Sequence, residues 1–403
     1  MNLWLSLGLI FTFTSIVFVL LRWGNIACIG VTPTRTFTFI TILFTSGLDV
    51  GLIMFPLTEF SGYANLAAHP EYSFTNPLAL EFGFWGFLIW GFYFLTCFYF
   101  CIIEPKVKFF EIPVVKWVNN IIVIGTCAFT AYLLLSNLPW YMPEIGDGKT
   151  IIPTFYLIVF VAIAVSVYSS TSLRYVKYLS LGSTWLFVAL IVFMWISAFG
   201  HQGGIGEFFS TLSLISGYFR HINHFILPMN DYHAFYLFWW FSWSLMIGQF
   251  TSRFVSGLKT WQLFGAMLVF PSLPIAIWFS ILYYYHLHSL NASGIYNIAM
   301  ITVGVLFVIN SLDSLVRLYT DSLYITVARF GKTKYVLFNI LALSVLTLLF
   351  KLAFLEIQWV GSLVIGLFFA CFIYILRYKG PEVMSIHSSP KQNSLDYSKI
   401  ECA

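Results

Sequence analysis

The sequence predicts an all-α polytopic membrane protein, on three observations. Of 403 residues 60% are hydrophobic and only 9% charged, with a mean hydropathy of +0.87, which excludes a soluble domain of this size. Apolar stretches of spanning length recur at roughly 3–21, 37–58, 77–103, 117–136, 151–168, 177–199, 232–251, 260–285, 295–318, 335–353 and 357–377, making 11 candidate transmembrane helices. In alternate loops the basic residues collect on one face, 17 of 20 of them, leaving Lys149, Arg220 and Lys351 for the other. By the positive-inside rule the N-terminus lies outside and the C-terminus in the cytoplasm. The net charge of +4 belongs to those loops and implies no nucleic-acid partner. The six cysteines show no metal-ligand spacing and serve as small packing residues.

Taken in order, the first helix ends at Arg22-Trp23-Gly24, a basic-aromatic interfacial anchor. The next span carries F-T-S-G-L-D-V-G-L-I-M-F-P, residues 44–56, where Asp49 is the only carboxylate deep in an early helix. Gly47 and Gly51 loosen that helix, and Pro56 removes a backbone hydrogen bond. Backbone freed at membrane depth is tolerated only beside a protein-lined cavity, so the segment is expected to line one. A carboxyl there is costly unless protonated or paired.

In span 77–103, Trp85, Trp90 and Tyr93 are spaced by five and three, which on one helix spreads them over an arc of about 140° with Tyr93 between the two tryptophans. Residues 136–150 cap the outside. Residues 201–230 read as an interfacial helix whose histidines lack metal-ligand spacing.

F-Y-L-F-W-W-F-S-W, residues 235–243, then packs Trp239, Trp240 and Trp243 into one stretch. Indole faces carry negative quadrupole charge and hold a quaternary ammonium without a formal anion; the alternative is a lipid-facing aromatic belt. Near the end, F-V-I-N-S-L-D-S, residues 307–314, offers an oxygen-rich turn that suits sodium or merely ends a helix.

Two interrupted helices, near Gly47–Gly51 and near Ser242–Gly248, five spans apart, are the pattern of an inverted-repeat transporter with substrate at the bilayer midplane. The chain then divides into an N-terminal peripheral helix and loop (1–36), a first repeat (37–200), an interfacial linker (201–231), a second repeat (232–379) and a flexible cytoplasmic tail (380–403).

D-Y-H-A-F-Y-L-F-W-W-F-S-W, then G-Q-F-T-S-R-F-V-S-G and P-S-L-P-I-A-I-W-F-S, resembles the signature region of the betaine/choline/carnitine transporters. So do L-F-T-S-G-L-D-V-G-L-I-M-F with Thr58-Glu59, the spaced Trp85, Trp90 and Tyr93, R-W-G-N-I-A-C-I-G, and the N-S-L-D-S turn. The likeness runs in order from about residue 22 to 378. It implies a five-plus-five inverted-repeat (LeuT-like) fold, alternating access, and a quaternary ammonium substrate in the inner (cytoplasmic) membrane of a bacterial cell, in a homotrimer.

Carried over by motif, it implies a cage of Trp85, Trp90, Tyr93 and Trp240, with Trp239 and Trp243 along the path. A sodium site would fall on backbone oxygens near Thr45 and Leu48 and on Asn310 and Ser311. The chain departs from the family in having one helix rather than two before the first repeat. It also has Tyr232-His233 for a tryptophan–threonine pair, Leu237 for a tryptophan, Asn310 for a threonine, and Asp49 for a glycine.

The expected function is alternating-access transport of choline first, glycine betaine or carnitine next, with a proton as coupling ion through Asp49. Sodium-coupled betaine-type uptake or exchange is the alternative. No catalytic residue, resident metal or cofactor is expected beyond the coupling ion. An ionised Asp49 would favour choline over betaine, whose own carboxylate it repels. Rivals of other classes are a membrane acyl transferase working through His233 and a transporter-like sensor that binds without translocating.

Overall fold

Backbone polar groups in lipid must pair within the chain, so long apolar segments fold as helices. The computed structural model describes residues 1–48, 50–200 and 204–389. Its principal helices are α1 (Asn2–Trp23), α2 (Thr36–Ser46), α3 (Val50–Ala64), α4 (Pro77–Trp85), α5 (Leu88–Phe98), α6 (Pro113–Tyr141) and α7 (Pro153–Ser169). The second half adds α8 (Leu173–Phe199), α9 (Gly204–Ser213), α10 (Asp231–Thr251), α11 (Thr260–Leu287), α12 (Ile295–Ser322), α13 (Lys332–Lys351) and α14 (Ile357–Tyr374).

Among the described residues eight helices are long and apolar enough to cross a membrane, nine when α2 and α3 count as one bent span. Two of the 11 expected spans fall short of that standard. Helix α7 has 17 residues, and α10 dilutes its apolar surface with tyrosine, tryptophan, serine and glutamine.

Packing repeats with a period of five spans. Helix α2 lies against α8 as α10 lies against α14; α8 meets α12 as α14 meets α6; α7 meets α12 as α13 meets α6; α5 meets α10 as α3 meets α11. The pairs α6–α12, α5–α11 and α7–α13 each join one element to its own counterpart. A unit of five spans, repeated directly, crosses the membrane in the opposite sense the second time, which is the inverted-repeat arrangement.

Three local features shape the site. Helices α2 and α3 meet at a 52° bend. Pro56 lies inside α3 and cannot bond the Leu52 carbonyl one turn back; the Trp278 indole N–H takes that oxygen at 3.1 Å. The span 77–103 was expected to be a single helix but breaks at Gly86–Phe87, where Phe87 has φ 47°. Trp85 therefore sits on one helix and Trp90 and Tyr93 on the next, so a stripe on one helix does not describe them.

Helix α10 corrects the expectation of an interruption at Ser242–Gly248: it is continuous. The Ser242 and Ser244 hydroxyls donate back to the Trp239 and Phe241 carbonyls at 2.7 and 2.8 Å. Gly248 serves close approach, since a Cβ there would lie 1.9 Å from Thr96 Oγ1 of α5. On another side of α10, a Cβ at Gly361 of α14 would lie 2.4 Å from the Phe238 carbonyl oxygen. A short antiparallel pair, β1 (Ala27–Ile29) with β2 (Ser256–Lys259), staples the loop after α1 to the loop after α10.

Candidate functional site

The bend between α2 and α3 leaves carbonyls without helical partners, and α12 packs against it. Ser311 Oγ donates to the Leu48 carbonyl at 2.5 Å and lies 3.4 Å from the Thr45 carbonyl. Beside it Ser46 Oγ lies 2.9 Å from Ser314 Oγ, which donates to Asp313 Oδ1 at 3.2 Å. Ser169 donates to Asp313 Oδ2 at 2.6 Å.

Thr45, Ser46, Leu48, Ser311, Asp313 and Ser314 are all fully buried. Thr45, Leu48 and Ser311 thus come together. The Asn310 amide turns elsewhere, donating to Ser183 Oγ and the Leu306 carbonyl. Asp49 lies outside the described residues. Gly47 ends α2 with φ −92°, and a Cβ on it would sit 3.2 Å from the Trp90 ring.

Around the same break the aromatic side chains converge. Trp85, Trp90, Tyr93, Trp239 and Trp243 are fully buried and Trp240 is 1% exposed, so none of the six faces lipid as a belt residue would. Trp85 stands edge-on to Trp240 and Trp239 with centroids 5.2 and 5.5 Å apart, and Trp239 stacks on Trp240 at 5.1 Å. Tyr93 bridges from Trp90 at 5.1 Å to Trp240 at 6.5 Å, and Trp243 meets Trp239 at 6.3 Å.

The Tyr93 hydroxyl donates to the Gly47 carbonyl at 3.3 Å, tying the cluster to the helix break. Rings this close are in direct contact. A trimethylammonium group would enter only as α10 draws away from α4 and α5. The Trp240 N–H donates to the Phe84 carbonyl at 2.8 Å. The indole N–H groups of Trp85, Trp90, Trp239 and Trp243 have no partner among the described residues. Buried donors left unpaired cost about 1–3 kcal/mol each, and they suit a ligand that carries oxygen as well as a cation.

Where α3, α4 and α10 end together lies a second polar group, which the reading of the sequence missed. The Tyr63 hydroxyl lies 2.7 Å from Glu59 Oε2 and 2.9 Å from Glu81 Oε2. Tyr236 donates to Glu59 Oε1 at 2.8 Å, and Tyr232 donates to the same oxygen. Asp49 is accordingly not the only carboxylate deep in an early helix, for Glu81 is 0% exposed.

Nearby, Asn230 caps α10, accepting from His233 N at 2.8 Å while its amide donates to Glu71 and to the Tyr72 hydroxyl, both at 2.7 Å. That hydrogen bond holds the Glu71 carboxyl below its ordinary range. His233 is buried, stacked on Phe84, and its Nδ1 accepts the Met229 N–H, an arrangement of packing and capping. The histidines expected at an interface behave similarly: His221 and His224 pack on Phe74, while His201 lies outside the described residues. A cavity of about 230 Å³ between α1, α5 and α14 is lined by Phe11, Phe18, Trp23, Tyr99 and Phe372; it is apolar and apart from both polar groups.

No family model matches the chain, and no curated protein does. Among solved structures the chain is similar to a Na⁺-coupled sialic acid symporter in a substrate-bound, outward-open state with a novel Na⁺ site. The identity is 15% and the TM-score 0.37, over 94% of this chain and 82% of that one. Agreement at that level carries no argument for fold or function, and the architecture described above rests on this chain's own packing.

Proposed function

We propose that the protein is a secondary active transporter of a quaternary ammonium compound, choline first and glycine betaine or carnitine next, working by alternating access. The observation that carries this reading is the buried aromatic cluster of Trp85, Trp90, Tyr93 and Trp240, drawn from three helices and hydrogen-bonded to the broken one. Each indole or phenol face contributes roughly 0.5–2 kcal/mol to a desolvated cation, so four faces reach micromolar-range binding at the upper end of that range. Trp239 and Trp243 line the way in. Residues 37–200 and 232–379 form the two repeats, 1–36 and 201–231 are peripheral, and 380–403 is a cytoplasmic tail. The N-terminus faces outside a bacterial inner membrane; whether the chain works singly or as a homotrimer is read from the mass of the purified protein in detergent.

Aromatic faces bind a cation but do not drive it uphill; coupling requires an ion whose affinity differs between two conformations. Asp49 at the helix break is our proposed proton carrier. A second reading, sodium coupling, is favoured by one observation: Ser311 Oγ reaches the Leu48 and Thr45 carbonyls, oxygens a sodium ion would share.

Labelled choline and betaine uptake into proteoliposomes, with sodium and pH gradients imposed separately, tests the whole reading. Choline accumulation driven by an inward proton gradient is expected. Binding without counterflow would instead identify a sensor, and turnover of substrate in detergent would identify an enzyme.

A further inference from the structure

Glu59 and Glu81 meet across Tyr63 with no ion-pair partner for either among the described residues. Tyr63 has one hydroxyl proton and two carboxylate neighbours. Both short contacts are hydrogen bonds only when one carboxyl brings a proton of its own.

The second observation lies one turn along α4. Trp85 lies four residues on from Glu81, on the same side of the helix, and both its indole N–H and Glu81 Oε1 are buried without a hydrogen-bond partner among the described residues. A buried acceptor and a buried donor one helical turn apart are thus both left unpaired. An ionised carboxylate would close that gap, since charge-assisted hydrogen bonds are shorter and about twice as strong as neutral ones.

We propose that Glu81 is a proton-binding residue with two hydrogen-bonded positions, tied through Tyr63 to Glu59 when protonated and drawn onto the Trp85 indole N–H when ionised. Protonated, it fastens α4 to α3, and through Tyr232 and Tyr236 to α10, closing the cluster at that end. Ionised, it leaves two like charges across Tyr63, which push α3 and α4 apart. It also pulls on Trp85, whose ring touches Trp239 and Trp240. The proton leaves by way of Tyr63 and Glu59 to Tyr232, which is 41% exposed.

The other titratable groups facing this pair are Tyr72 with Glu71 from the Pro70–Tyr72 turn, and His233 behind Phe84 on α10. On α11, Tyr283 and His286 meet the pair's helix through Phe60. The switch stands on its own geometry; only its use in moving a substrate rests on the proposed function.

The test is the labelling rate of Phe84→Cys by a membrane-impermeant maleimide added outside proteoliposomes, in the full chain with Cys402→Ser and no substrate present. Leu80→Cys, buried one residue from Glu81, serves as a second reporter should the first variant fold poorly. Labelling, divided at each pH by the rate for a free model thiol so that thiolate ionisation cancels, is expected to accelerate about tenfold from acid to alkaline outside pH, the change that one pH unit beyond a single titration brings; every rate compared below is this ratio.

Glu81→Gln, whose amide can still donate to Tyr63, should hold labelling slow at every pH. Trp85→Phe, which keeps a ring and loses the N–H, should blunt the response. A pH response that survives in Glu81→Gln, or a parent rate that ignores pH, overturns the proposal. Loss of the response in Asp49→Asn but not in Glu81→Gln would assign the proton to Asp49 instead. Because no substrate is used, failure of choline transport beside a pH-gated label would sink the proposed function alone.

Discussion

Replacing Gly248 by alanine should separate the two helices that carry opposite sides of the aromatic cluster. An added Cβ would lie 1.9 Å from Thr96 Oγ1, 2.5 Å from Thr96 Cβ and 2.7 Å from the Cys97 backbone nitrogen, where ordinary contact begins at 3.4 Å. Thr96 cannot swing aside freely, because its hydroxyl donates to the Ser244 carbonyl at 2.7 Å inside the interface. Breaking that bond costs about 1–3 kcal/mol, and displacing the backbone of α5 by a further few tenths of an ångström costs about as much by overpacking, so roughly 2–6 kcal/mol in all.

Unfolding of the purified protein in detergent, followed by the emission of its 14 tryptophans, measures the change. Thr96→Ala in the Gly248→Ala background should restore at least about 1 kcal/mol, since it removes the nearest clash, with Oγ1, though neither the Cβ nor the backbone one. The reasoning fails if Gly248→Ala lies within about 0.5 kcal/mol of the parent, the range of an uncommitted surface site. It fails equally if Thr96→Ala only adds to the loss.

Other outcomes follow from single contacts. Trp278→Phe should destabilise by about 1–3 kcal/mol, because the Leu52 carbonyl orphaned by Pro56 loses its donor; the same unfolding assay reads it. Ser311→Ala should abolish any sodium dependence of uptake while proton-driven uptake persists, and a retained sodium response would clear Ser311 of that role.

In the loop after α6, Asp147 accepts from Thr150 Oγ1 and from the Lys149 and Thr150 amides, which push its carboxyl down to about 2. The native value lies below the unfolded one, so the loop's closure is complete above the ordinary aspartate range and is lost as pH falls through about 2. Protection of the Lys149 and Thr150 amides, their exchange relative to the intrinsic rate at each pH, should therefore hold at pH 4–5 and fall below about 2; equal protection at both would contradict this.

Hydropathy and loop charge made the membrane class and most spans legible, because lipid forces long apolar segments into helices whatever their neighbours. The bend at Gly47 and the carbonyl freed by Pro56 were legible too, since proline and glycine act through their own backbone. That Trp278 would supply the missing donor was not, because it comes from a distant helix.

Gly86 resembled any small packing residue, and nothing in an apolar run announces that Phe87 takes a positive φ. Ser242, Ser244 and Gly248 suggested a break. The serines instead bond within their own turn and the glycine admits Thr96, so local weakness was absorbed by packing. Glu81 was within view inside a tryptophan-rich span. Its meaning depends on Glu59, Tyr63, Tyr232 and Tyr236 arriving from two other helices, and a search for two or more carboxylates within spans is the signal that would have found it.

Equilibrium binding of labelled choline to the purified protein tests the central claim most directly, with Trp85→Leu and Trp240→Leu beside the parent. Each variant should bind about 5–30-fold more weakly, the equivalent of 1–2 kcal/mol for one lost aromatic face. Trp261→Leu, altering a tryptophan that is 53% exposed on α11, should bind as the parent does. A folded parent that binds neither choline nor betaine, or variants at 85 and 240 that bind as tightly as the parent, would contradict the account.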